Sequence, residues 1–225
     1  KVKFNIIVID HNSPENDLTK IKTQLNNSGL DNSLISLDVN EFVKEIKNVN
    51  AENKNVTQNQ ISNMSNIHKS FKVAEKQCED LVYFVEDDYL HKINAIEEMV
   101  FTYERISSQI KDELILCPID YPYLYSKIEP TNIFFGSSQH WRVSGESLCT
   151  FLTSSAVLKK HWNKFISMCQ YEHYPFEQPL HDIYKVEYCL SPIPSLAVHF
   201  TNINSIYGLS PGIDWKKIWD ENENY

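Results

Sequence analysis

Short, continuously apolar segments alternate with amphipathic segments along the first half of this chain. The apolar segments are FNIIVID at Phe4–Asp10, LVYFV at Leu81–Val85 and ELILCPI at Glu113–Ile119. Runs of this kind are typical of parallel strands that are covered on both faces. The alternation predicts an α/β fold with a mostly parallel sheet flanked by helices.

The remaining segments fill in this outline. Pro14 is placed to open a first helix. Residues 48–66 are polar and asparagine-rich, which predicts a loop or a flexible lid. Further helices are predicted for DLTKIKTQL, NIHKSFKVAEKQ, NAIEEMVFTYERI, SSAVLKKHWNKFISMC (with Ser154 or Ser155 as N-cap) and PLHDIYKVEY. Short strands are predicted for SLISLD and SLAVHF, and an antiparallel edge hairpin for NIFFGSS with HWRVSG. No repeat or linker interrupts the chain, so we expect a single domain over residues 1–225.

Three acids, Glu86, Asp87 and Asp88, follow the LVYFV segment directly. Ligands of open parallel sheets bind beyond the carboxyl ends of the strands. Asp10 ends the first apolar segment, and Asp120 lies just beyond the fourth predicted strand, so acids from several strands are expected at one rim. Crowded carboxylates raise each other's pKa unless a cation compensates their charge.

Hard oxygen ligands of this kind suit Mg²⁺ or Mn²⁺, which also bind the phosphates of substrates. The triplet therefore predicts a site for a metal ion and a diphosphate. The alternative is a surface turn whose solvated acids cap the helix that follows.

Composition narrows the class of protein. The chain has 225 residues, 42% of them hydrophobic, and 21 lysines and arginines against 30 acids, for a net charge of −9. This balance argues against a protein that coats nucleic acid, whereas a bound metal could neutralise the few phosphates of a nucleotide. The five cysteines form no CxxC pair, which favours buried thiols in a reducing compartment. Without an apolar run long enough to span a membrane, we expect a cytoplasmic protein whose membrane contact is at most peripheral, at the inner face.

Several of these segments resemble a known family in the right order. VYFVEDDYL resembles the DxD-type segment of the GT-A nucleotide-sugar glycosyltransferases, in which acids after a core strand hold a divalent ion on the donor diphosphate. IIVIDHNSPEN is similar to the IVVDNGS segment of family 2 members. NMSNIHKSFKVAEKQCEDLVYFVEDD resembles their ARNxG…A…D.ILFLDDD stretch, with Asn66 near the family's asparagine. The resemblance covers residues 4–91 well and the remainder loosely.

Two departures concern the nucleotide pocket. Family members have a strand and a helix before the VVD strand, and almost nothing precedes it here. We expect either that this element lies outside the sequence or that the pocket is built differently. The family's basic residue before the asparagine is replaced by Ser65.

The resemblance implies a GT-A, Rossmann-like fold and a metal-dependent transfer of sugar from a UDP- or GDP-sugar to a glycan or a lipid-linked acceptor. It assigns Mn²⁺ or Mg²⁺ to Glu86 and Asp88, with His199 as a late ligand. Asp87 would orient the ribose or the sugar, and Asp10 would contact the nucleoside. The alternative for His199, which ends an apolar segment, is a core histidine with satisfied hydrogen bonds.

An inverting transferase needs a carboxylate that takes the proton of the acceptor hydroxyl. Glu177 is favoured because it precedes a helix that Pro179 can begin, and Asp182 is the second candidate, with a helix-dipole role as its alternative. Trp141 could stack on a sugar or belong to the core. Arg142 could pair with a phosphate or with an acidic acceptor.

The tail LSPGIDWKKIW spaces Trp215 and Trp219 four residues apart, which suits a small amphipathic helix. Such a helix could lie at a membrane or partner surface, or pack its tryptophans onto its own domain.

Two rival functions stay open. A sugar nucleotidyltransferase is disfavoured because no glycine lies between Lys1 and Ser28, and a catalytically silent carbohydrate-binding or scaffold domain would bind nucleotide-sugars weakly or without regard to Mn²⁺.

Overall fold

The computed structural model describes residues 3–43, 57–126, 128–170, 177–201 and 203–224. The described residues form both strands and helices, which confirms the predicted α/β class. The chain divides into two compact units, one of Lys1–Lys76 with Phe165–Phe176 and the other of Gln77–Lys164 with Glu177–Tyr225. None of the helices within the described ranges has the length and apolarity needed to cross a membrane.

The strands and helices have the following bounds. The strands are β1 (Asn5–Asp10), β2 (Asp31–Ser36), β3 (Leu81–Phe84), β4 (Tyr89–His91), β5 (Leu114–Leu116), β6 (Ile133–Phe135), β7 (His140–Val143), β8 (Phe151–Ser154), β9 (Tyr188–Ile193) and β10 (Ala197–His199). The main helices are α1 (Glu15–Asn27), α2 (Gln58–Gln77), α3 (Ala95–Ile110), α4 (Ser155–Lys160), α5 (Trp162–Met168), α6 (Gln178–Tyr184) and α7 (Trp215–Glu223).

The first unit contains a parallel pair, β1 with β2, connected by α1. Pro14 stands directly before α1, as predicted. The loop or lid predicted for residues 48–66 is wrong from Gln58 onward, because that part belongs to α2. Met64, His68 and Phe71 are buried along α2 at helical spacing, so packing outweighs the low helix propensity of the asparagines. Residues 48–56 lie outside the described residues.

The second unit contains a sheet in the order β3-β8-β5-β9-β7-β6. Among its described strands, β5 and β9 run parallel, whereas the other neighbouring pairs are antiparallel. The prediction of a mostly parallel sheet is therefore wrong, and the sheet is mixed. The predicted antiparallel hairpin is confirmed as β6 and β7, at one edge.

The mostly parallel sheet was predicted wrongly because of two strands inside the sheet, β8 and β9. β8 has only four residues and follows a polar, hydroxyl-rich stretch, and β9 contains Pro192, which usually argues against a central strand. The pairing of β9 with β5 ends at Leu190, so Pro192 lies beyond it and costs that ladder no donor. On the other side, Pro192 stands opposite Trp141 of β7.

The core of the second unit lies between α3 and the sheet. Ala95, Met99 and Ile106 on one face of α3 are fully buried, as are Leu114 and Leu116 of β5.

The single helix predicted for residues 154–169 is present as two helices, α4 and α5. Its N-cap is Ser154, whose hydroxyl accepts a hydrogen bond from the Val157 N–H at 3.1 Å. This packing supports the strand ends from which the acids project.

Candidate functional site

The acidic triplet lies between β3 and β4 in the second unit, and strand pairing brings Asp88 beside His199. β4 and β10 are antiparallel, with Tyr89 opposite His199. The ladder extends by one bond, from the Phe200 N–H to the Asp88 carbonyl at 3.0 Å. The Asp88 Oδ2 and His199 Nε2 atoms are 3.1 Å apart.

The orientation of the His199 ring is fixed from its other side. Nδ1 lies 3.1 Å from the Tyr207 carbonyl oxygen, which can only accept, so Nδ1 carries the proton of that bond. In the neutral ring, Nε2 then presents its lone pair to the Asp88 carboxylate. Two electron-pair donors 3.1 Å apart need a positive charge between them, either a proton or a metal ion.

Without a metal, the proton is the partner. Burial would lower the pKa of His199, but hydrogen bonds to Asp88 and to the Tyr207 carbonyl outweigh it, so the pKa is raised. Burial would raise the pKa of Asp88, but hydrogen bonds from His199 and Thr201 outweigh it, so the pKa is lowered. The two side chains therefore form a charge-stabilised pair with the geometry of a ligand pair.

Glu86 is held against the start of β8. Its backbone N–H donates to the Thr150 hydroxyl oxygen at 3.0 Å, and the Thr150 Oγ1 lies 3.3 Å from the Glu86 Oε2. Burial, followed by repulsion from Asp88 and Glu177, raises the pKa of Glu86 to about 7. The carboxyl of Glu86 therefore changes its charge near neutral pH.

Glu177 stands at the N-terminus of α6, as predicted, and is 7% exposed. Its Oε2 atom is buried and has no hydrogen-bond partner among the described residues. Burial raises the pKa of this carboxyl. A buried acid with a free oxygen can hold and exchange a proton, which is what the predicted base requires.

Asp182 has different surroundings. It binds the Lys185 ammonium at 2.6 Å and the Gln178 amide at 3.3 Å on the exposed face of α6. The hydrogen bond from Lys185 lowers the pKa of Asp182. The geometry therefore favours Glu177 as the candidate base and gives Asp182 a surface ion pair.

The donor set suits a hard or borderline divalent cation, which combines imidazole and carboxylate ligands. Nevertheless, the residues described here contain no group of three or more His, Cys, Asp or Glu arranged to hold a metal ion. Asp88 and His199 would thus supply two ligands, which fits ions that retain water and bind substrate phosphates. Glu86 could join them once it has lost its proton.

The other predicted acids are arranged differently. Asp87 is exposed. Asp10, in the other unit, ends β1 and accepts a hydrogen bond from the Ser13 N–H at 3.4 Å. Its role in nucleoside binding stays a prediction. Asp120 is 2% exposed, so it does not join an acidic rim.

Asp120 forms a buried ion pair with Arg142 instead. The Arg142 guanidinium lies 4.2 Å from the centre of the Tyr125 ring, and the Tyr125 hydroxyl donates to Asp120. The charge of Arg142 is thus compensated by a buried carboxylate, and its pairing with a phosphate or with an acidic acceptor stays a prediction.

Trp141 belongs to the core. The residue is completely buried, and its indole N–H donates to Glu98 Oε1 at 3.2 Å. No ring face is accessible to a sugar, so the core alternative replaces the predicted stacking role.

Three groups that complete the site could not be predicted from the sequence. The hydroxyls of Thr150 and Thr201 bind the acids, and the carbonyl of Tyr207 orients His199. Threonines are too common in loops to be assigned by type, and a backbone carbonyl has no signature in the sequence.

Comparison with models of known protein families and with curated proteins yields no match.

Proposed function

We propose that this chain is a metal-dependent glycosyltransferase that moves a sugar from a nucleotide-sugar to an acceptor hydroxyl, by single displacement with inversion. The donor would be a UDP- or GDP-sugar and the acceptor a glycan or a lipid-linked sugar. The proposal goes beyond the α/β class and depends on the chemistry of the candidate site and on the sequence resemblance to the GT-A enzymes.

The Asp88–His199 pair is the observation that carries the proposal. A histidine whose Nδ1–H is bound by a backbone carbonyl, and whose Nε2 faces a carboxylate, has the outer-shell arrangement of many metal-ligating histidines. Asp88 and His199 would hold Mn²⁺ or Mg²⁺, with Glu86 joining in its ionised form. When bound, the ion would supply the positive charge that stabilises a departing diphosphate.

Glu177 would act on the acceptor. Its buried carboxyl has a raised pKa and an oxygen without a hydrogen-bond partner among the described residues, so it can accept the proton of a hydroxyl as the hydroxyl oxygen attacks the anomeric carbon. Asp87 is exposed next to the ligand pair and would contact the ribose or the donor sugar. The bond from the anomeric carbon to the diphosphate oxygen breaks as the new glycosidic bond forms.

The test is release of nucleoside diphosphate from a panel of UDP- and GDP-sugars in the presence of Mn²⁺. We expect release by the wild-type chain and a loss of about 100-fold or more in Asp88→Ala, because the departing charge loses its main stabilisation. The matched control is Asp112→Ala, which removes an exposed carboxylate elsewhere and should leave the rate unchanged.

Circular dichroism of both variants checks that the fold is retained. Unchanged turnover in a folded Asp88→Ala variant would remove the proposed role of the ligand pair. Failure of the wild-type chain to cleave any sugar of the panel would overturn the transferase assignment.

A further inference from the structure

A surface depression of about 370 Å³ is lined by Phe200, Ile203, Asn204 and Ser205. Its volume is in the range of small-molecule pockets, about 300–1,000 Å³. Phe200 binds the backbone of Asp88, so the depression begins one residue beyond His199. A ligand in it would therefore lie near the backbone of Asp88 and His199.

Aromatic side chains extend this surface. The Phe200 ring packs edge-on against Trp215 and Trp219 of α7, with centroid distances of 5.8 and 6.5 Å. Trp219 is 48% exposed and Trp215 36%. One face of α7 is anchored, because Ile218 is buried and the Asn222 amide donates to the His91 carbonyl at 2.9 Å. The tryptophans are thus held in place while still open to solvent.

The residues of this surface suit an uncharged ligand that has an apolar face and several hydroxyl groups. None of the four lining residues is ionisable, and they combine an aromatic ring and an aliphatic side chain with an amide and a hydroxyl. A sugar ring can pack its C–H face on Phe or Trp and bond its hydroxyls to Asn204 and Ser205.

A membrane surface fits less well. The α7 segment WKKIWDENE carries two lysines and three acids, and the chain as a whole has a net charge of −9. Binding to anionic lipid requires an excess of basic residues. The charge of this face therefore disfavours a lipid headgroup surface and leaves a neutral saccharide as the occupant.

We propose that the depression lined by Phe200, Ile203, Asn204 and Ser205, together with the exposed faces of Trp215 and Trp219, binds a neutral saccharide, and that this saccharide is the acceptor. The second part rests on the proposed function, because only a transferase has an acceptor. The first part stands alone and can be measured without any donor.

The experiment is saturation-transfer-difference NMR on the full chain with four probes, the methyl glycosides of glucose, galactose, mannose and N-acetylglucosamine, at millimolar concentration. We expect transfer to at least one glycoside in the wild type. Binding should weaken about tenfold in Trp219→Ala and in Asn204→Ala, and recover in Trp219→Phe, which keeps an aromatic face. Phe101→Ala is the matched control, since it removes a comparably exposed aromatic from α3.

Asp88→Asn separates the two proposals. Glycoside binding that persists in Asp88→Asn supports the saccharide site even if nucleotide-sugar cleavage is never observed. No transfer to any of the glycosides in the wild type, or undiminished transfer in both folded Trp219→Ala and Asn204→Ala, would overturn it. Vesicles of phosphatidylserine and phosphatidylcholine form the second arm, and vesicle binding that depends on Trp219, without glycoside binding, would assign the surface to a membrane.

Discussion

Replacing Glu86 by glutamine tests whether the surroundings of this acid destabilise its ionised form. Its pKa lies at about 7 in the folded chain, against an ordinary value of 4.5, because of burial and repulsion from Asp88 and Glu177. The folded state therefore binds more protons than the unfolded state between these two pH values. Consequently, the stabilisation due to neutral Glu86 is complete at acidic pH and is lost as the pH rises toward 7 and above.

The size of the effect follows from the shift. A difference of 2.5 between the two values corresponds to about 3 kcal/mol at about 1.36 kcal/mol per unit. The side chain is only partly covered, so solvent screening reduces this to about 2 kcal/mol. Glu86→Gln keeps the shape of the neutral acid. It should be about 2 kcal/mol more stable than the wild type at high pH and nearly equal to it at low pH.

Urea unfolding in the presence of EDTA at about pH 4.5 and about pH 8.5 measures both free energies. The matched control is Glu97→Gln, an exposed acid in the first turn of α3. A constant difference between Glu86→Gln and the wild type across this range would refute the reasoning, because it would mean that the pKa of Glu86 is the same in the folded and unfolded states.

Two further predictions concern the packing behind the site. Glu98→Ala should lower the free energy of unfolding by about 3 kcal/mol, since it leaves Thr102 and Trp141 as buried donors without their acceptor. Urea unfolding measures this change, and a decrease in the free energy of unfolding of less than about 0.5 kcal/mol would contradict the prediction. Gly136→Ala should destabilise by a similar amount, because a Cβ there would collide with Thr102 and Trp141 side-chain atoms. The matched control is Gly145→Ala, because nothing is close to a new Cβ at that position. Equal urea unfolding midpoints for Gly136→Ala and Gly145→Ala would contradict the prediction.

Local patterns predicted the elements of this fold better than its topology. The apolar strands and the helix at Ala95–Ile110 follow from periodicity, which is a local property. The direction of the strands was predicted wrongly because β8 and β9 depend on partners far along the chain. Phe151–Ser154 is buried on all sides between β3 and β5, yet its four residues are too few to show the period of a strand.

The candidate site shows the same division. Residue type and position after a strand identified Asp88, and the end of an apolar segment identified His199. Their proximity depends on the register of β4 and β10, which the sequence does not specify. Trp141 and Arg142 illustrate the converse, since their chemistry suited a ligand while burial and the partners Glu98 and Asp120 place them in the structural framework.

Calorimetry of UDP and GDP binding, with and without Mn²⁺, tests the central claim most directly. The claim is that Asp88 and His199 share a divalent cation with a nucleotide diphosphate. We predict that Mn²⁺ strengthens binding of one nucleotide by about tenfold or more in the wild type, and that this gain is absent in Asp88→Asn and in His199→Gln. Nucleotide binding that is indifferent to Mn²⁺ in the wild type, or a gain that persists in both folded variants, would contradict the account.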